Sequence, residues 1–201
     1  MAGFSILSDI SVELRRQIFE ALESTSDADF GLAGTLDRIT LASPGQDLDA
    51  ATVGSLYLYH VDINPHRRNQ LPLPDRLRAD SFRKPPLPLQ LRYLFTPVTE
   101  DESINQLLLG RVLQHFHDFP CFEAVSGRAI GDAFGGGSPE MRVKPDLLSL
   151  EQLAQMWNAF STPYRIALGL LVEVVAVDSG LPPERRRRVD EMMTAVGTVT
   201  P

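Results

Sequence analysis

Three helical stripes interleaved with three strand-like runs predict an α/β chain of the α+β kind. The expected architecture is a single domain, a mixed or antiparallel sheet packed with two to three helices, followed by a short C-terminal tail. The first stripe is Leu7, Ile10, Leu14, Ile18, Ala21 and Leu22. The second is Ile104, Leu107, Leu108, Leu109, Val112, Leu113 and Phe116, and the third is Leu150, Leu153, Ala154 and Trp157. All three recur at helical spacing. The runs at residues 55–61, 89–95 and 166–177 are apolar on both faces, alternating, and β-branched in turn, which are the three ways a strand announces itself. At 201 residues, 43% hydrophobic and 22% charged, the chain can bury one sizeable core of ordinary globular type.

The elements follow in order. Glu13, Arg15, Arg16 and Glu20 fall largely outside the first stripe, and Ser8 or Asp9 is the expected helix cap. Residues 24–33 are polar and loop-like, and residues 35–42 alternate loosely as a weak strand that Pro44-Gly45 ends. Residues 55–61 read as a central strand covered on two sides, stopped by Asn64-Pro65; residues 66–88, rich in Pro and Arg, read as a long exposed excursion. Leu89, Leu91, Tyr93 and Phe95 share one face of a half-buried strand, with Gln90 and Arg92 on the other. Ser103 and Gln106 form a capping box for a helix running to Asp118.

The apolar arc of that helix is broad enough for core on one side and a neighbouring subunit on the other, which makes Leu109 and Leu113 candidate interface residues. Gly110 inside it costs roughly 1 kcal/mol against alanine, so a close packing contact is expected there. Residues 119–125 form a further strand candidate, and residues 127–139, with three glycines at 135–137, a flexible loop. Ser149 and Gln152 make a second capping box. A strand over residues 166–177 would reach roughly 40 Å, so it bends or projects an unpaired edge, which makes Val174 and Val175 candidate interface residues. The domain is expected to span residues 1–178, with a basic tail at 179–201 that holds Pro182-Pro183 and a short basic helix candidate.

Composition and motifs exclude several classes of chemistry. A net charge of −7 argues against broad nucleic-acid binding, which needs a basic face to displace counterions. Cys121 is the single cysteine, so no internal disulfide forms and a reducing compartment is expected. The longest apolar stretch is broken by Glu173 and falls short of the roughly 20 residues that span a bilayer. No secretory signal is read at the N-terminus, and the expectation is a soluble protein first folded in the cytoplasm, with no direct membrane insertion.

No metal or cofactor is expected. His115 and His117 stand two apart on a helix, about 200° around it, and do not converge on one ion; His60 reads as structural and His66 as a surface residue. Cys121 beside Phe122 reads as a small hydrophobe. Ser126-Gly127 lacks a strand–elbow–helix context, and the glycine run lacks the Lys-Ser/Thr ending of a phosphate loop. No catalytic constellation emerges, and a non-enzyme is expected. Asn64, Arg67 and Arg68, directly after a buried strand, read as guanidinium forks for carboxylates at a protein interface. Arg185 and Arg186, in a run of four arginines, read either as a grip on an acidic partner or as a solvated face.

Four segments in order resemble the N-terminal domain of a cap or tail-terminator family from contractile injection systems, which are phage-tail-like particles. They are Leu-Tyr-Leu-Tyr-His-Val with Asn-Pro-x-x-Arg-Asn at 56–69, and Pro-Pro-Leu-Pro-Leu-Gln-Leu-Arg-Tyr-Leu-Phe-Thr at 85–96. The third is Leu-Leu-Gly with the Phe116-His117-Asp118 helix end, and the fourth is the stretch at 145–178. The resemblance covers about residues 6–178. It implies a tail-terminator-like domain that assembles as a ring of six, ends the inner tube and sheath, and couples their last layers. It further implies partners among the sheath subunits, by strand augmentation, and among tube or tube-cap proteins. The protein would be cytoplasmic during assembly and then a component of the assembled particle, whether released extracellularly or anchored. A phage tail terminator, or a small cytoplasmic assembly adaptor or chaperone, is the alternative.

Overall fold

Alternation along residues 87–97 builds the strand around which the rest of the molecule is arranged. The computed structural model describes residues 3–67, 69–74, 81–125, 127–130 and 141–185. Helix α1 (Ile6–Glu23) leads through a short 3₁₀ turn into β1 (Ile39–Thr40) and β2 (Gly54–Ile63). A small hairpin follows, β3 (Leu73–Pro74) and β4 (Ser81–Arg83), and then β5 (Leu87–Pro97) and α2 (Glu102–Asp118). The short strands β6 (Cys121–Phe122), β7 (Ala124–Val125) and β8 (Arg128–Ala129) precede β9 (Met141–Asp146), α3 (Leu150–Phe160), β10 (Leu168–Val177) and β11 (Glu184–Arg185).

The main sheet has the order β1-β2-β5-β10-β9-β6, with β1 parallel to β2 and every other neighbour antiparallel. The fold is therefore α+β on a mixed sheet, with a smaller sheet β11-β4-β3 beside it. One face carries the core: Leu56, Leu91, Tyr93, Phe95, Leu170, Val172 and Val175 meet Ile10, Leu14 and Ile18 of α1 and Leu108, Val112 and Phe116 of α2. Tyr93 also anchors α1 by a polar contact. Ser11 Oγ donates to the Leu7 carbonyl at 2.9 Å, which leaves the Tyr93 hydroxyl to donate to Ser11 Oγ at 2.9 Å. The second face carries α3, where Phe160 packs edge-on against Tyr57 and Trp157.

Several local expectations are corrected. Helix α1 begins after Ser5, so Ser8 and Asp9 lie inside it, and the Ser5 hydroxyl donates to Asp9 at 2.9 Å. Glu13 faces inward and is buried, held by Arg16 and by Gln17 at 3.1 Å. Helix α2 is capped by Asp101, which accepts the Ser103 amide at 2.8 Å; Ser103 is already helical. The weak strand at 35–42 shrinks to two residues after a 3₁₀ turn. Residues 66–88 are more than an excursion, since β3 and β4 pair and β11 joins β4. That pairing makes Glu184 and Arg185 extended rather than helical.

The strand at 119–125 divides, with β6 joining the main sheet and β7 pairing with β8. The Ser149–Gln152 capping box forms as read, with both reciprocal bonds. Leu150 and Ala154 are nevertheless exposed, and only Trp157 of α3 is buried. The glycine run at 135–137 and residues 186–201 lie outside the described residues.

The last strand both bends and runs past one neighbour. β10 pairs with β5 as far as Val177 but with β9 only over Gly169–Glu173, so among the described residues no strand faces Val174–Val177 on that side. The register of β10 against β5 shifts between Val172 and Val175. β2 shifts likewise between Leu58 and His60, so Tyr59 and His60, adjacent in sequence, both line the second face. Among the described residues, a longer open edge lies on β2, beyond its pairing with β1.

Candidate assembly surfaces

Helix α2 divides its apolar residues between two directions. Leu108, Val112 and Phe116 are in the core, and Leu109 joins them at 8% exposure. Leu107 and Leu113 turn outward, 54% and 40% exposed. Gly110 lies between them, and a methyl group built on it would meet no atom within 4 Å. The close contact expected at Gly110 is absent from the described part of the chain. Two leucines beside a glycine instead leave a shallow notch on an outward helix face.

The second face of the sheet holds a polar clasp. Arg92 Nη1 donates to Asp146 Oδ2, and the Tyr59 hydroxyl donates to the same oxygen at 3.1 Å. Asp62 stands 2.9 Å from His60 Nε2 and 3.6 Å from Arg92 Nε. Lys144 and Gln90 bond Glu173 at 2.9 and 3.2 Å. Burial, and then the Asp146 carboxylate, push the Tyr59 hydroxyl up to about 12. The hydrogen bond to Asp146 raises Arg92 above its ordinary value. Both shifts fix these groups in their ordinary protonated forms, the opposite of what a tyrosine base or nucleophile needs. Between this clasp and α3 runs an open groove of about 530 Å³, lined by Tyr59, His60, Arg92, Gln152 and Met156 among others. The arrangement ties neighbouring strands together.

The two edges of the main sheet differ in kind. On β9, Met141 pairs with Phe122 and the Val143 amide donates to the Pro120 carbonyl at 2.7 Å. The next outward-facing position in the alternation is Pro145, which has no amide hydrogen. Among the described residues, β2 has no such cover along its second half. β1 pairs only with Gly54 and Ser55. The Asn64 amide donates to the Pro88 carbonyl at 3.0 Å, which sets the ladder: Asp62 and His60 bond inward to β5, and Val61 and Ile63 point their N–H and C=O outward. Among the described residues, no hydrogen bond reaches those outward groups. Val61 and Ile63 are also 41% and 50% exposed.

The residues nominated from sequence are scattered across these features. Asn64 is buried and spends its side chain on the His66 amide at 3.0 Å, forming the turn that ends β2. Arg67 is exposed beside it, and Arg68 lies outside the described residues. Leu109 is core and Leu113 is outward, as given above. Val175 is fully buried in β10, and the side chain of Val174 is not among those described. Arg185 is exposed on β11, and Arg186 lies outside the described residues. Leu107, Val61 and Ile63 were not nominated. Their apolar character reads like core, and only the register and the helix orientation turn them outward.

Comparison with known proteins agrees with this fold. A sheath/tube terminator of the extracellular contractile injection system PVC, in its extended state, superposes with a TM-score of 0.59 at 14% identity, covering 100% of this chain and 66% of that one. The tube-terminating cap of the anti-feeding prophage superposes with a TM-score of 0.54 at 16% identity, covering 94% and 61%. The chain thus spans about two thirds or less of the length of these solved structures. No curated protein matches. The family model of the Pvc16 N-terminal domain matches residues 9–191. The chain belongs to the Pvc16 N-terminal domain family.

Proposed function

We propose that the chain caps a contractile injection particle, ending the inner tube and the sheath and coupling their last layers without catalysing a reaction. The observation that carries this reading is the fold likeness over the whole chain to a sheath/tube terminator. The mechanism is geometric: a ring of six copies presents each polymer end with a surface that accepts no further layer. The outward face of α2 supports a ring contact, because Leu107, Gly110 and Leu113 form an apolar notch that a neighbouring copy can cover. Leu109 and Val175, buried within the protomer, serve that contact by holding α2 and β10 in place. Arg67, Arg68, Arg185 and Arg186 supply carboxylate-binding forks at the ring faces. Sheath subunits engage by adding a strand to the sheet.

The chain folds in the cytoplasm, joins the particle there and leaves with it. No helix among the described residues is long and apolar enough to cross a membrane. Mass measurement and two-dimensional electron-microscope averages of the purified protein test the reading. A sixfold ring is expected, alone or on added tube–sheath particles. A protein that stays monomeric and leaves tube ends bare overturns it.

A further inference from the structure

Resting on the cap reading, we propose that the outer edge of β2, from Leu58 to Ile63, receives an extended arm of another protein of the particle. The arm would be about six residues long, the length of an ordinary strand. The edge supplies the main-chain groups. Val61 and Ile63 direct N–H and C=O outward, and the alternation before the register shift puts Leu58 in the same position.

The flanking side chains specify the arm. Val61 and Ile63 stand on the core face, across from buried Leu91 and Leu89, so they extend the core into solvent. An incoming strand covers them only with apolar, β-branched or aromatic residues at alternate positions. Its other face lies beside His60 and Asp62, an exposed polar pair, and is therefore polar. The arm alternates apolar and polar, in the phase set by these four residues.

The opposite edge argues for a different protein rather than a second copy. Head-to-tail sheet extension between copies would join the edge of β2 to that of β9. There Met141 is paired, the Val143 amide is taken by Pro120, and Pro145 has no donor. An exposed Lys144 on the same strand guards it further. β9 itself is closed to strands, and among the described residues the edge of β2 is open.

Proline separates the inward ladder from the outward one. Val61→Pro and Ile63→Pro remove outward amides while leaving the His60, Asp62 and Asn64 bonds to β5 in place. Each variant is co-expressed with the tube and sheath proteins of the same particle, and its occupancy on purified particles is counted. Circular dichroism checks the fold and mass checks self-association. The expected result is native fold and self-association, with occupancy reduced at least tenfold. Occupancy equal to wild type overturns the proposal, and so does loss of self-association with the fold intact, which would make the occupant a second copy.

Hydrogen exchange on the unmutated chain gives a reading that no folding defect can obscure. The Val61 and Ile63 amides should exchange freely in the isolated protein and become protected on the particle, whereas His60 and Asp62 should be protected in both. Unprotected Val61 and Ile63 on the particle would overturn the proposal. Wild-type chain that never enters particles would fail the cap reading itself, a result distinct from a variant that enters as well as wild type.

Discussion

Replacing both outward leucines of α2, Leu107→Glu with Leu113→Glu, should abolish ring formation and leave the protomer folded. The exposures of 54% and 40% set the size of the effect. A fully buried leucine contributes about 1.5–3 kcal/mol, so covering half of each side chain contributes about 1 kcal/mol per residue per interface. Glutamates at the same positions remove that and also place two carboxylates against a neighbour, at a cost of a further few kcal/mol. With about 1.4 kcal/mol per factor of ten, each interface weakens at least roughly a hundredfold.

In the isolated protomer the same positions face solvent, so stability should move by no more than about 0.5 kcal/mol per site. Light scattering behind size exclusion reads the assembly state, and urea unfolding reads the protomer. Unchanged assembly would refute the placement of the ring contact on α2. A large fall in protomer stability would refute the outward orientation. Leu109→Glu cannot serve as this test, because Leu109 is core and its loss unfolds the reporter.

Three further perturbations address the protomer itself. Arg92→Met leaves the largely buried Asp146 carboxylate without its cation and should cost about 2–4 kcal/mol in urea unfolding; adding Asp146→Asn should recover part of it. Gly45→Ala would place a methyl 2.8 Å from the Phe160 carbonyl oxygen, cost about 1–3 kcal/mol, and loosen α3, seen as a red shift of the single tryptophan, Trp157. His115 is held below its ordinary value by burial first and then by Arg111, against the opposing pull of Asp118 and Glu20. The folded protein therefore binds fewer protons than the unfolded one as pH falls below about 6.5. Stability should decline over that window with a slope of up to about 1.4 kcal/mol per pH unit, and His115→Gln should flatten it.

Local signals in the sequence proved legible and pairing did not. The Ser149–Gln152 box lies within four residues, so its chemistry can be read directly, and it forms. The first cap is ambiguous because Ser5, Ser8 and Asp9 all suit it, and one more turn of helix moves the start to Ser5. Asp101 and Ser103 pose the same ambiguity two residues apart. The alternation of residues 89–95 located β5, but nothing in residues 166–177 reveals whether that strand lies at an edge or between neighbours. That depends on β9, more than twenty residues earlier, and on β5, about eighty.

The register shift at Tyr59 hides the assembly edge as well. It reverses the parity of β2, so Val61, read as part of a central strand, and Ile63 beyond it stand on the core face at the rim. The charge of Glu13 reads as solvent-facing, whereas Arg16 and Gln17 satisfy it where it is buried.

If the edge of β2 receives a strand as proposed, β2 and β9 give the sheet one receptive rim and one closed rim. A subunit open at both rims relays: each arrival exposes the next docking place, and a row can lengthen without limit. With Pro145 and the Pro120 carbonyl closing β9, a guest at Val61 and Ile63 leaves this subunit no equivalent place on β9. That limit is set in the backbone by a missing amide hydrogen rather than by any bulky obstruction.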